Sequence, residues 1–283
     1  MKIKISADSI IDLTKELLVE NDISIMPLFS ILGEEEHLAG ITVQPEDLVE
    51  FYQNTKVLPK TACRSSQTYQ EFFQELRKDY DAVIHFTISE HMSMSYQTAQ
   101  EGAKPYKNVY VINSSNLSTG AGLLVMYACK LREQGKSAKE IVELVKSRRG
   151  AVQASFVVDN LEHLYKGGRC SALAYFGANM LNIKPCIEVH DGKMGVAHKY
   201  MGRFPRVIFK YIDDCLAKYN TPDKSICFVT HSPMTYDGLV DQVIDYVKAK
   251  GIFEQVIETN AGCTVTTHCG ANTLGILYLN DGE

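Results

Sequence analysis

The amino-acid sequence predicts an α/β protein of two domains, the first on a largely parallel, Rossmann-like sheet and the second on a mixed α/β sheet. Three observations lead there. Short β-rich apolar runs alternate with helical patterns along the whole chain. The alternation restarts at Ser155, after two long helical patterns in succession. Asp191-Gly192, flanked by β-type runs, is a hairpin-turn dipeptide and implies some antiparallel pairing. The boundary is placed near Gly150–Ser155, giving domains 1–153 and 154–283. No linker of biased composition separates them, so they are expected to pack closely.

In chain order, Lys2–Ser6 reads as a strand, and Asp12 as the cap of a helix through Thr14–Leu18. Ile23–Leu32 is one long β-rich run. Pro45, suited to a first helical turn, opens a helix over Glu46–Tyr52. A polar loop, Lys60–Ser66, leads into a helix at Tyr69–Lys78. Ala82–Thr87 is a buried strand, Ser93–Lys104 a helix and Asn108–Asn113 a strand, and Leu117–Glu133 and Ser137–Arg149 are helices. In the second half, Ser155–Val158 is a strand and Asn160–Tyr165 a short helix. A tight turn at Lys166–Arg169 leads to a helical stretch near Ala172–Leu181. Ile183–Val189 and Gly195–Tyr200 form the hairpin. The helices Arg206–Tyr219 and Tyr236–Lys250 then alternate with the strands Ser225–His231, Glu254–Thr259 and Thr273–Leu279.

Composition narrows the function. With 283 residues, 45% hydrophobic and 22% charged, the chain has ample apolar material for a core. A net charge of -5 argues against a nucleic-acid-binding surface. No run approaches the ~18 apolar residues of a membrane span, and the first residues read as a strand, not a signal peptide. The eight cysteines are scattered without a C-x-x-C pair, which fits reduced thiols in a cytoplasmic protein. Only Cys263, His268 and Cys269 cluster, without the paired short spacing of a zinc site, so no metal is expected.

Ligands of open α/β sheets bind beyond the carboxyl ends of strands. Two loops so placed are rich in small hydroxyl residues, Thr61–Ser66 and Ser89–Ser95. Ser93 falls near a helix start, where free N–H groups and the helix dipole favour an anion. Position alone leaves open whether it caps that helix or faces a ligand. No G-x-x-x-x-G-K-[ST] is present, and Gly120-Ala121-Gly122 lies inside a helical pattern, where close packing is the simpler reading. No G-x-S-x-G elbow supports a hydrolase.

Taken in order, these segments resemble the DegV family of bacterial fatty-acid-binding proteins. Ala7-Asp8-Ser9 resembles the family's opening turn, and Leu58-Pro59-Lys60-Thr61 its Pro-Thr-Thr-Ser loop. Ile88-Ser89 with Ser93–Ala99 resembles its Leu-Ser…Ser-Gly-Thr-Tyr-Gln-Ser-Ala segment. Asn113-Ser114 with Ser118–Gly122 is similar to its Asp-Ser…Gly-x-Gly segment. Leu161, Leu164 and Gly167-Gly168-Arg169-Cys170-Ser171 are similar to its Gly-Gly-Arg signature, and Ile183-Lys184-Pro185 and His268-Cys269-Gly270 also fit. The chain departs from the pattern at Ala62-Cys63-Arg64, at Met94 and at Ala271-Asn272.

The resemblance implies one long-chain fatty acid, such as palmitate, stearate or oleate, buried between the two domains. Its carboxylate would be met by Thr61 and Ser93, with Ala62, Met94 and His268 alongside. It also implies a carrier in fatty acid metabolism, with no cofactor and no catalysis of its own, that presents the acid to an ATP-dependent partner kinase. A tail of ~15 methylenes at ~0.8 kcal/mol each would drive binding, and the hydroxyls would set orientation. Arg169, with Arg203 and the nearby Lys166, Lys199 and Arg206, is expected to dock the kinase; an ordinary solvated face is the plainer reading. The alternatives are a small-molecule transferase or kinase subunit, and a regulatory protein that binds a different anion.

Overall fold

The computed structural model of the protein describes residues 1–170 and 183–282. Ser171 of the Gly-Gly-Arg signature and the helix expected at Ala172–Leu181 lie outside them. The first half runs β1 (Ile3–Asp8), α1 (Lys15–Glu20), β2 (Ile23–Met26), β3 (Phe29–Leu32), β4 (Glu35–Leu38), α2 (Pro45–Thr55), β5 (Lys60–Ala62), α3 (Ser66–Leu76), β6 (Ala82–Thr87), α4 (Ser95–Ala103), β7 (Val109–Asn113), α5 (Ser118–Glu133) and α6 (Ala138–Arg148). The second runs β8 (Val152–Val158), α7 (Glu162–Gly167), β9 (Ile183–His190), β10 (Lys193–Met201), α8 (Phe204–Lys218), β11 (Ile226–His231), α9 (Leu239–Ala249), β12 (Gln255–Asn260), α10 (Cys263–Cys269) and β13 (Thr273–Leu279).

β1 and β6 are buried along their whole length, as expected of inner strands covered on both faces. They sit at the middle of an all-parallel sheet ordered β2-β1-β6-β7. The second half forms a mixed sheet, β10-β9-β8-β13-β11-β12, in which only β11 and β12 pair in parallel among the described strands. The β9–β10 hairpin turns at Asp191 and Gly192 with φ of 48° and 77°, the left-handed pair such a turn requires. A small antiparallel sheet, β4-β3-β5, lies apart from the other two.

α5 joins the halves. It packs against β1 and β6 on one side and β8 and β13 on the other, and eleven of its sixteen residues are buried. A helix enclosed in this way needs apolar residues all round, not one apolar stripe. Gly120 and Gly122 are where its neighbours come closest: a β-carbon at Gly122 would meet Ile11 O at 2.8 Å. The largest core cluster runs through α5 from Ile5 and Phe86 in the first sheet to Phe156 and Ile187 in the second. Among the described residues, no helix is long and apolar enough to cross a membrane.

Several local expectations differ. The run Ile23–Leu32 is two strands in two sheets, broken at Pro27, which has no N–H to give a ladder. α1 is capped by Thr14, whose hydroxyl accepts from the Leu17 N–H, and not by Asp12. Asp12 turns away with φ of 49°; its carboxylate accepts from the Ser118 hydroxyl at 2.5 Å and from the Gly262 N–H. Thr61, read as loop, lies in β5 opposite Ser30. His268 lies between the last two strands, near the end of α10, a helix not expected there, whose Thr-Val-Thr-Thr core runs against helix propensity.

Candidate functional site

A cavity of about 490 Å³ lies between the halves of the chain, bounded by β5, the β6–α4 loop, the start of α5, Arg169, Met194 and α10. That size is within the range of small-molecule pockets, roughly 300–1,000 Å³. Much of its wall is apolar, from Leu28, Ile88, Met92, Leu117, Met194 and Val265. Among these, Ile88, Leu117 and Val265 look in the sequence like any other core residue.

Strand pairing and a helix bring Thr61 and His268 together. β5 hydrogen-bonds to β3 and fixes the Thr61 backbone, while α10 carries His268 into reach. Thr61 Oγ1 and His268 Nε2 lie 2.9 Å apart, across 207 residues of sequence. Burial, reinforced by the nearby charges of Arg169 and His163, lowers the His268 pKa to about 4, so near pH 7 the ring is neutral and carries one N–H. α10 is also held from outside. His163 Nδ1 lies 3.0 Å from Thr267 O, and Tyr52 packs edge-on against the His163 ring at 4.7 Å.

The Gly167-Gly168-Arg169 turn explains its own composition. Gly167 faces the His268 ring, where a side chain would not fit. Gly168 ends α7 in the left-handed conformation, φ 68°, which favours glycine. Arg169 is exposed; its guanidinium donates to Gly167 O at 2.7 Å and borders the cavity.

Ser93 lies just before the start of α4, whose N-cap is Met94, and on the cavity wall. Its hydroxyl accepts the Ser95 N–H at 3.2 Å, at the start of α4, and lies 3.0 Å from the Ser95 hydroxyl. Behind Ser95, Tyr69 interacts with that serine and donates to Asp8 Oδ1 at 2.6 Å. His85 lies 3.2 Å from the same oxygen and 3.0 Å from the Ser6 hydroxyl. Ser6, His85 and Asp8 have the residue types of a hydrolytic triad, but all three are 0% exposed, so no substrate reaches them.

Thr61, Ala62, Ser93, Met94, Arg169 and His268 thus border one cavity. Arg203 does not; it is exposed at the start of α8. Sequence reasoning did not single out Thr264, whose neighbours in the sequence give no motif. Among the described residues, no group of three or more His, Cys, Asp or Glu side chains could hold a metal ion.

Residues 2–281 match the family described as "Uncharacterised protein, DegV family". A DegV domain-containing protein of Clostridium acetobutylicum is 28% identical over 98% of each chain. The fold is that of a DegV family protein of Thermus thermophilus described by its fatty acid binding, at a TM-score of 0.91, 22% identity and coverage of 99% of this chain and 100% of that one. DegV of Bacillus subtilis, described as a fatty acid binding protein, superposes at a TM-score of 0.85 with 25% identity, over 99% of this chain and 100% of that one. With a family model matched almost from end to end and structural neighbours covering the whole fold, the chain belongs to the DegV family.

Proposed function

We propose that the protein binds one long-chain fatty acid, of the palmitate, stearate or oleate class, with its carboxylate at Thr61 and Ser93. The observation that carries this is a single cavity combining an apolar wall with a Thr61–His268 pair and the Ser93 hydroxyl. The DegV neighbours described as fatty acid binding supply independent support. In this reading the neutral His268 gives its one N–H to Thr61 Oγ1, which frees the Thr61 proton for the carboxylate. A hydroxyl bond to a charged group contributes about 1.5–3 kcal/mol, far below the ~12 kcal/mol gross transfer gain of a ~15-methylene tail. The tail drives binding, and the hydroxyls set which way the acid lies.

The proposal extends to a cytoplasmic carrier with no chemistry of its own, which presents the acid to an ATP-dependent kinase that phosphorylates the carboxylate. Two exposed cations, Arg169 beside the cavity and Arg203 at the start of α8, support a docking face for an acidic partner on a chain of net charge -5. Organic extraction of the purified protein followed by mass spectrometry tests the core of the reading. A stoichiometric fatty acid is expected. Its absence, together with no binding of added palmitate or oleate, would defeat the proposal.

A further inference from the structure

Thr264 lines the same cavity, yet its hydroxyl has no use there. The residue is 7% exposed, and Oγ1 is buried without a hydrogen-bond partner among the described residues. The other hydroxyls on this wall among the described residues are engaged: Thr61 with His268, Ser93 with Ser95. A buried hydroxyl without a partner is destabilising, and a valine of the same shape would avoid that cost. Threonine on a helix divides between two χ1 rotamers, and turning from one to the other carries one of the two groups, methyl or hydroxyl, into the place the other held. Having no bond to lose in its present rotamer, Thr264 is free to turn either group to the cavity.

Its position defines what it would meet. Thr264 and His268 are four residues apart on α10, on one face and about 6 Å apart along the helix axis. A chain that runs from a carboxylate at Thr61 along α10 would meet Thr264 within its first several carbons. We infer that Thr264 is a specificity residue for fatty acids carrying a hydroxyl or keto oxygen in the part of the chain nearest the carboxylate. Its methyl group faces an unsubstituted chain, and its hydroxyl donates to the oxygen of a substituted one. The inference rests on the fatty-acid reading above and narrows its substrate class.

Displacement of a fluorescent fatty acid from wild type, Thr264→Val and Thr264→Ser by palmitate and by its β-hydroxy, mid-chain hydroxy and ω-hydroxy derivatives tests it. Wild type and Thr264→Ser should bind the β-hydroxy acid roughly 3- to 10-fold more tightly, relative to palmitate, than Thr264→Val does. The ω-hydroxy acid, whose oxygen lies at the far end of the chain, should show no such difference. Thermal melting checks that each variant is folded, and Thr264→Ala carries the same comparison should the valine variant fail to fold. The same ratio of β-hydroxy acid to palmitate in all variants, with palmitate bound, overturns the role of Thr264 alone. Failure of the wild type to bind any of these acids overturns the fatty-acid reading and this inference with it.

Discussion

Gly167 packs directly against the His268 imidazole: a β-carbon at position 167 would lie 2.8 Å from His268 Nδ1. The glycine is helical, in the last turn of α7. Alanine is the better helix former by about 1 kcal/mol, so Gly167→Ala should leave the melting temperature nearly unchanged. It should instead displace His268 and break its bond to Thr61. A loss of one hydrogen bond of about 0.5–1.5 kcal/mol predicts a fatty-acid affinity weakened roughly 2- to 12-fold. Calorimetric titration with palmitate checks this; unchanged affinity in a folded Gly167→Ala protein would mean that the ring is not held by this contact.

Much of the fold was legible because its signals are local. Asp191-Gly192 can be recognised from two residues, and the buried strands Ala82–Thr87 and Thr273–Leu279 from short apolar runs. The motif order singled out Thr61, Ser93 and His268, which border one cavity, but not how Thr61 and His268 come together. The Thr61–His268 bond spans 207 residues and depends on β5 and α10, both too short and too poor in propensity to be read in advance. Asp12 misled because a helix start was expected two residues too early, and its real partners, Ser118 and Gly262, come from distant segments. The apolar lining stayed hidden because residues such as Ile88 and Leu117 obey the same pattern in a cavity wall as in a packed core.

Thr61→Val and Ser93→Ala each remove one donor to the proposed carboxylate and should each weaken binding by about 1.5–3 kcal/mol. The double variant should lose less than the sum, since both hydroxyls serve one head group. Binding of the fatty-acid methyl ester, which keeps the tail and lacks the charge, should change much less. Ser93→Ala also leaves the Ser95 N–H without its acceptor, so a small drop in melting temperature is expected. Affinities equal to wild type in both single variants would place the carboxylate elsewhere.

Charge reversal separates docking from lipid binding. Arg203 does not border the cavity, so Arg203→Glu should slow acyl-phosphate formation in a reconstituted kinase assay with fatty-acid content intact. Arg169→Glu should abolish it, again with the lipid retained. Because Arg169 borders the cavity, loss of lipid in that variant would assign the guanidinium to the head group instead. Normal phosphorylation of both variants would remove them from the docking face.

The pH dependence of stability should contain two opposed contributions that single variants can separate. Burial pushes the Asp12 pKa up from 3.8 to about 7, against the lowering effect of its bonds to Ser118 and Gly262. Between those values the folded chain binds more protons than the unfolded one, so this residue makes stability fall as pH rises from about 4 to about 7. His268 does the reverse: with its pKa lowered from 6.5 to about 4 by burial and by Arg169 and His163, it makes stability rise as pH goes from about 4 to 6.5. Both residues keep part of their surface in solvent, which reduces each slope, and in the wild type the two oppose each other. Asp12→Asn removes the falling contribution, so its stability relative to wild type should improve steadily from pH 4 to pH 7. His268→Gln removes the rising one, so its relative stability should decline from pH 4 to pH 6.5 and then level off. Urea unfolding at half-unit pH intervals measures both difference curves. Two flat curves would show that these groups titrate in the folded protein as they do in the unfolded chain, and curves of the same sign would show that one of them is shifted in the opposite direction.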